Sequence, residues 1–320
     1  MQIKHKRTIS PFTFHLSFLF FLSPFLAHAQ QDSTININKK TITLKEVVVR
    51  SNLNVPSFID RVKNDTTFYK AFKNLKILSY TALNDVRLLD KKGGIKASLE
   101  SKTTQHTAKG CRWMTTENQK TTGDILNRQG GWNYYTMQLY SGLFWVVDTV
   151  CGETNIVGDA DISLKNKSGT AKHKEQLKML FFNPGKRIPG IPFMGDKTAI
   201  FDDDMARYYD YVIDMEQING EWAYIFSITA REDLTEGEKN RIVINNMTTW
   251  FDQKSMEIIK RNYDLSYNAG VYDFKVQIET ELKKFGQYLV PTVLRYNGNW
   301  DVITKKRERA VFTATLFDFN

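Results

Sequence analysis

The chain is poor in the residues that most often carry chemistry. Its 320 residues include two cysteines, Cys111 and Cys151, and five histidines, of which only His106 and His173 lie beyond residue 29. Neither histidine stands in an H-E-x-x-H setting and no G-x-S-x-G elbow is present, so the common zinc-peptidase and serine-hydrolase signatures are excluded. His106, Cys111, Cys151 and His173 can be written together as a zinc set, but their spacings fit no standard pattern. In an exported chain the two cysteines either form one disulfide or stay as two buried thiols behaving as small apolar residues. Beyond residue 29 no uninterrupted apolar run is long enough to cross a bilayer as a helix. Recognition-helix and zinc-finger patterns are missing as well, which sets nucleic acid aside. No catalytic residue, metal or cofactor is expected.

What is present begins with an address. Lys4, Lys6 and Arg7 precede the apolar core "FHLSFLFFLSPFLA", and Ala27-His28-Ala29 gives a small-x-small cleavage pattern. Residues 1–29 therefore read as a cleaved signal peptide and place the mature protein in the periplasm. The formal charge of the whole chain is +9, with the charges scattered. Such a balance serves solubility and permits peripheral contact with an anionic membrane surface.

Residues 30–55 are polar except for Val47 to Val49, which predicts an extended N-terminal arm leading to one strand. In the next stretch Phe58, Val62, Phe68 and Phe72 recur at near-helical intervals. They predict an amphipathic helix, starting at Pro56 or Ser57 and broken near Asn64-Asp65. A strand pair follows, "ILSYTALNDVRLLD" and "IKASLESKTTQ", turning at Lys91-Lys92-Gly93-Gly94. The segment "GGWNYYTMQLYSGLFWVV" is strongly aromatic, and Trp132, Tyr135, Leu139 and Leu143 share one face of a predicted helix. A second helix, "AKHKEQLKMLFF", runs into Asn183-Pro184-Gly185 and the Pro/Gly-punctuated loop "GKRIPGIPFMGDK".

After Phe201 the period is 2. Tyr209, Tyr211, Ile213 and Met215 alternate up to the hairpin turn Asn219-Gly220, and Trp222, Tyr224, Phe226 and Ile228 alternate after it. In "MTTWFDQKSMEIIKRNYDLSY" two alternating runs meet at Asp252-Gln253-Lys254-Ser255, a hairpin with a four-residue connection. Three more strands, "VYDFKVQIETEL", "YLVPTVLRY" and "DVITKKRERAVFTATLFDF", follow, the last two turning at Asn297-Gly298. The pattern is a large, twisted and curved antiparallel meander, mainly β (α+β). One strand face around Trp222 is apolar and must be covered; the aromatic helix near Trp132 and the loop near Pro189 are the candidates.

Other polar groups have structural readings. Asp202-Asp203-Asp204 is a solvated turn or helix start, with calcium as the alternative. Asp210 and Asp214 share an outward strand face, spaced as an acid-base pair would be. Alternation through "KKRER" sends Lys305, Arg307 and Arg309 to one face and Lys306 and Glu308 to the other, a solvated edge or an anion contact.

The stretches "MTTWFDQKSMEIIKRNYDL" and "LVPTVLRYNGNWDV" resemble the LolA/LolB-like superfamily of periplasmic lipoprotein carriers. The resemblance spans Ser57 to Asn320 as a strand order. It implies an unclosed β-barrel whose concave face is covered or plugged by helices, with acyl chains entering between sheet and lid. It divides the chain into a signal peptide (1–29), an arm (30–55) and one LolA-like domain (56–320) with a helical insertion around 125–200. No carrier's functional arginine aligns with a residue here. A shorter stretch, "LKEVVVRSNLNVPSFIDRVKND", is similar to a junction in carboxypeptidase-regulatory-domain-associated outer-membrane proteins and implies an envelope context.

The expectation is a non-catalytic periplasmic carrier or binding protein for lipid or lipoprotein acyl chains or another apolar ligand, lined by Trp132, Tyr135, Leu139 and Phe144. Burial alone supplies on the order of 0.8 kcal/mol per CH₂, so such a ligand needs a groove and no catalyst. Two alternatives stand beside it: an envelope scaffold docking a protein partner through its sheet edge and arm, and an outer-membrane β-barrel.

Overall fold

The computed structural model describes residues 32–37, 40–49, 51, 53–158, 169–182, 185–189, 194–269, 272–302 and 307–320. The signal-peptide segment lies outside the described residues.

The chain opens with a hairpin, β1 (Ser33–Ile37) and β2 (Lys40–Leu44), then a helical turn, α1 (Glu46–Val49), and two short helices, α2 (Val55–Asn64) and α3 (Thr67–Asn74). Three long strands follow, β3 (Tyr80–Leu89), β4 (Ile95–Ala108) and β5 (Cys111–Thr122). The middle of the chain holds α4 (Tyr135–Phe144), the short strand β6 (Val150–Cys151), α5 (Gly169–Phe182) and α6 (Asp203–Ala206). The meander comprises β7 (Tyr209–Ile218), β8 (Glu221–Ala230), β9 (Ile244–Asp252), β10 (Ile258–Ala269), β11 (Tyr272–Phe285), β12 (Tyr288–Val302) and β13 (Glu308–Phe317), with a capped turn, α7 (Glu236–Lys239), between β8 and β9.

All the strands join one sheet in the order β1-β2-β7-β8-β9-β10-β11-β12-β13-β3-β4-β5-β6, open at β1 and β6. The β2–β7 pair is parallel and the other pairs are antiparallel. The mainly β, unclosed architecture expected from the alternation is what the chain adopts. A membrane-spanning barrel must close so that no strand edge faces lipid, and this sheet leaves two edges; the membrane-barrel alternative falls on that ground.

Three local expectations are corrected. The Val47–Val49 run is a helical turn: the Lys45 amide donates to Ile213 O at 3.0 Å, pairing with β7 ends there, and the Val48 amide donates back to Lys45 O at 2.9 Å. Burial of Val48 in the core outweighs the β-preference of the valines. The polar segment before it is a hairpin added to the sheet edge, in place of an extended arm. Asn297-Gly298 is no turn, since β12 runs through it to Val302. A Cβ on Gly298 would meet the Tyr296 hydroxyl at 1.9 Å, so the glycine is there to let the Tyr296 ring lie across the strand and stack on Phe312, centroids 4.6 Å apart.

The predicted helix is two helices broken at Asp65-Thr66. Its start signal is Asn54, whose Oδ1 accepts the Ser57 amide at 3.1 Å with Pro56 in the first turn. Phe58, Val62, Phe68 and Phe72 are all buried, as the spacing required. In the Asp252 connection the carboxylate accepts the amides of Lys254 (3.1 Å) and Ser255 (2.7 Å), which closes the turn. Ladder pairing then slips between Ile258 and Lys260. This bulge brings Ile258 and Arg261, an odd number of residues apart, to the same buried face.

Candidate ligand-binding site

One face of the sheet is covered by helices, and more of them than the two predicted segments. Phe58 of α2 sits among Tyr224, Phe226 and Phe251 at centroid distances of 5.8, 5.9 and 5.1 Å. Phe68 and Phe72 of α3 pack on Phe181 and Phe182 of α5, and Phe68 reaches Tyr263 of β10 at 6.3 Å. Over β12, β13 and β3 the cover is α4, with Tyr135 on Trp300 (5.2 Å) and Tyr140 on Phe312 (4.9 Å). The loop near Pro189 contributes Ile188, which is buried, and Pro189 O, which accepts from Gln176 Nε2 at 3.2 Å. The coverage expected of α4 and this loop alone is therefore shared with α2, α3 and α5.

The position of α4 is set from the sheet. Glu308, at the start of β13 and 9% exposed, points inward, and its carboxylate accepts the amides of Tyr135 (2.8 Å) and Thr136 (2.9 Å) and the Thr136 hydroxyl (2.8 Å). A carboxylate at a helix N-terminus satisfies donors that have no intrahelical partner and meets the positive end of the dipole. Further along, the Tyr140 hydroxyl donates to Asn84 Oδ1 at 2.7 Å and the Tyr80 hydroxyl to Phe144 O at 3.3 Å. Burial pushes the Tyr140 hydroxyl well above its ordinary pKa, and burial followed by the Glu308 charge raises that of Tyr135 to about 12. These phenols stay neutral donors across the physiological range.

Of the four predicted lining residues, Tyr135 and Phe144 are buried beneath α4, and Leu139 and Trp132 are half-buried. Trp132 precedes the helix, bridges to Leu126 and stacks on Trp145 with centroids 5.2 Å apart. The buried helical stripe is Tyr135, Met137, Tyr140 and Phe144, so α4 is rotated from the face drawn through Trp132, Leu139 and Leu143. Tyr135 Oη and Trp145 Nε1 are buried with no hydrogen-bond partner among the described residues.

A polar row crosses this inner face. Successive ladder partners are Phe226, Thr249, Arg261, Thr280, Leu294, Ala314, Asn84 and Ser101. At the α4 end Asn84 is satisfied by Tyr140, by Thr103 Oγ1 (3.1 Å) and by Ser101 Oγ (3.3 Å). At the α3 end Arg261 is only 5% exposed; its Nε donates to Thr249 Oγ1 at 3.0 Å and the Phe68 ring lies 4.7 Å from its guanidinium carbon. Burial raises the Tyr263 hydroxyl to about 12, with the Arg261 charge working in the opposite direction. Arg261 and Thr280 were not singled out from the sequence, and Glu308 was placed by alternation on the face opposite Arg307 and Arg309 without being given a role. The signal for Arg261 was available, because it shares strand parity with Tyr263, Leu265 and Tyr267.

The remaining candidates resolve as structure. Cys111 and Cys151 form a disulfide across β5 and β6, so neither can be the thiolate ligand that the zinc set required. His106 stacks on Trp113 with centroids 5.5 Å apart; the side chain of His173 lies outside the described residues. Asp202 precedes α6, the helix start that was expected. Asp210 is exposed, on the outward face. Two surface grooves, of about 520 and 530 Å³, lie over β3 to β5 and beside β2 and β7, and neither is lined by the four predicted residues.

No protein-family model matches the chain, and no curated protein matches it. Among solved structures it is similar to a DUF1329 family protein from Desulfovibrio piger, at 11% identity over 81% of this chain and 92% of that one, with a TM-score of 0.27. It is similar to a putative outer membrane lipoprotein-sorting protein domain from Vibrio parahaemolyticus, at 10% identity over 78% and 88%, TM-score 0.26. A LolA superfamily protein from Nitrosomonas europaea matches at 10% identity over 79% and 91%, TM-score 0.23. The last two bear names that coincide with the resemblance read from the sequence.

Proposed function

We propose that this protein is a non-catalytic periplasmic carrier that holds an acyl chain, of a lipid or a lipoprotein, or another apolar ligand between the inner face of its open sheet and the helices that cover it. The observation that supports this reading is the nature of the cover. A broad apolar sheet face is closed by short helices held largely through ring contacts, instead of by a second sheet, and such a cover can separate from the sheet without breaking strand pairing. Trp132, Tyr135, Leu139 and Phe144 form the α4 side of the proposed groove. Unpartnered Tyr135 Oη and Trp145 Nε1 are polar handles of the kind that orient a ligand in an apolar site.

Native mass spectrometry of protein purified without detergent, followed by lipid extraction, tests the reading. A stoichiometric co-purifying lipid or acylated peptide is expected, and it should be lost in a Trp132→Ala, Leu139→Gln double variant, which alters half-buried positions and spares the buried Phe144. An apo mass with no uptake of added fatty acid or lipopeptide would overturn it. The scaffold reading has one observation in its favour, the edge position of β1; deleting residues 32–37 would then abolish partner recovery and leave lipid binding intact.

A further inference from the structure

Arg261 has less hydrogen bonding than its surroundings demand. A guanidinium carries five N–H donors and keeps its charge at any physiological pH. Among the described residues this one donates from Nε to Thr249 and forms no ion pair, although it is 95% buried. A second side-chain hydrogen bond runs from it to the neutral Tyr263 hydroxyl, which donates its own proton to Phe181 O at 3.2 Å, so these two bonds leave most of the guanidinium's donors unused. On the lid side the neighbour is the Phe68 ring, which offers a cation–π contact and no acceptor lone pair. Asp65, whose charge reaches the adjoining Tyr263, accepts the Thr67 hydroxyl at 2.6 Å and the Phe68 amide at 3.2 Å and forms no ion pair with Arg261. Directly across the β10–β11 ladder from Arg261 is Thr280, fully buried, whose Oγ1 has no partner among the described residues. Among the described residues the positive charge thus has no carboxylate in ion-pair reach and the neighbouring hydroxyl has no acceptor. Buried charges are ordinarily paired.

We infer that Arg261, with Thr280 beside it, is the receptor for an oxyanion head group on the carried acyl chain, the guanidinium fork taking the anion and the threonine hydroxyl adding a third donor. This rests on the carrier reading above and specifies its ligand class as an acidic amphiphile. The fork matches a carboxylate or phosphate in a bidentate manner. From Arg261 the inner row continues through Thr280, Leu294 and Ala314 to Asn84 under α4. At a strand spacing near 4.8 Å those four steps cover about 19 Å, the reach of a long acyl chain. The head then lies under α3 and the tail runs toward Tyr140 and Phe144. Phe68 closes the site over the guanidinium, so the ligand enters where α3 lifts from β10.

Binding of oleate, 1-oleoyl-lysophosphatidate and oleyl alcohol, each below its aggregation concentration, to the wild-type protein and to Arg261→Met by titration calorimetry decides the matter. Wild type is expected to prefer an oleoyl acid over the alcohol by at least about tenfold, with oleate against lysophosphatidate telling a fatty acid from a phospholipid head. Arg261→Met should erase that preference while leaving alcohol affinity within about threefold, and should keep or raise the melting temperature, because a buried charge without a carboxylate is replaced by an apolar side chain of similar length. A purely structural arginine would instead lower it. Wild-type affinities equal for the acids and the alcohol, or a preference that survives in folded Arg261→Met, would overturn the inference and leave the carrier reading standing. Wild type that binds none of the three would overturn both. Should the variant fail to fold, the wild-type comparison between acid and alcohol decides alone.

Discussion

The attachment of α4 to the sheet through Glu308 makes a quantitative prediction. Replacing Glu308 by alanine strands the amides of Tyr135 and Thr136 and the Thr136 hydroxyl, which it now accepts at 2.8 to 2.9 Å in a site only 9% exposed. A hydrogen bond to a charged group contributes about 1.5–3 kcal/mol, and the favourable position of the carboxylate at the helix N-terminus adds up to about 2 kcal/mol. The bonds share one carboxylate and do not add in full, so the expected loss is about 3 kcal/mol. At roughly 2–4 °C per kcal/mol for a chain of this size, the melting temperature falls by about 6–12 °C. Glutamine keeps the shape and one acceptor but turns an N–H toward an N–H, and should lose about half as much.

Urea unfolding followed by tryptophan emission measures this. Trp300 is a local reporter, since its Nε1 donates to Thr136 Oγ1 at 3.2 Å. The midpoint should move with little change in slope, the mark of altered stability without altered compactness. Two results would refute the reasoning: an alanine variant within about 0.5 kcal/mol of wild type, or a glutamine variant as damaged as the alanine one, which would show that negative charge is not what holds the helix.

Gly298→Ala should cost about 1–3 kcal/mol, because its Cβ would land on Tyr296, and the cost should shrink in a Gly298→Ala, Tyr296→Ala double variant, read by the same unfolding assay. Changing Cys111 and Cys151 together to alanine opens a loop spanning a sequence separation of 40 that carries α4; a loss of about 2–4 kcal/mol is expected, against no change for reductant applied to the double variant. Burial works to raise the Glu153 pKa, but Arg112 and Lys76 hold it below the ordinary carboxylate range. Its stabilising contribution is therefore complete above the unfolded-state pKa and is lost as pH falls through the lower, folded value. Glu153→Gln should accordingly lower the melting temperature at pH 7 and converge on wild type at strongly acid pH; a constant difference across that range would contradict the assignment.

The strands were legible because alternation is a local signal: Tyr209, Tyr211 and Ile213 inward, with Asp210 out, can be read without knowing any partner. The helix over residues 135–144 was legible for the same reason, but its orientation was not. The apolar residues of α4 surround much of its circumference, and the face that is buried was chosen by Glu308, more than 170 residues away, and by Asn84 on β3. Gly298 misled because Asn-Gly is a hairpin signal on its own and a platform for an aromatic ring only when Tyr296 two residues earlier is counted with it. The inward face of Arg261 was legible from its parity with Tyr263, but nothing local announces that the arginine on that face lacks a carboxylate.

The two ends of the inner row differ in a way that predicts where the cover opens. Directional bonds tie α4 to the sheet: Tyr140 to Asn84, Tyr80 to the Phe144 carbonyl, and Glu308 to the first turn, while Tyr135 Oη and Trp145 Nε1 are without a partner among the described residues. The same helix lies in the loop closed by the disulfide. Over Arg261 the cover is α3, eight residues long, joined to the sheet by ring contacts along its length and by side-chain bonds only at its C-terminal end, where Asn74 Nδ2 donates to Leu289 O at 2.8 Å and Gln105 Nε2 to the Leu75 carbonyl at 2.5 Å. A helix that short has no stability apart from its packing, and ring contacts have no directional bond to break as it lifts. Local opening should therefore be cheaper for α3 than for α4. Native-state hydrogen exchange should find the amides of residues 70–74 less protected than those of residues 140–144 in the apo protein, and an oleoyl acid should slow exchange in the first set more than in the second. Equal protection at both sites, or slowing confined to α4, would mean that the row is read in the wrong direction and that the entrance lies at the α4 end.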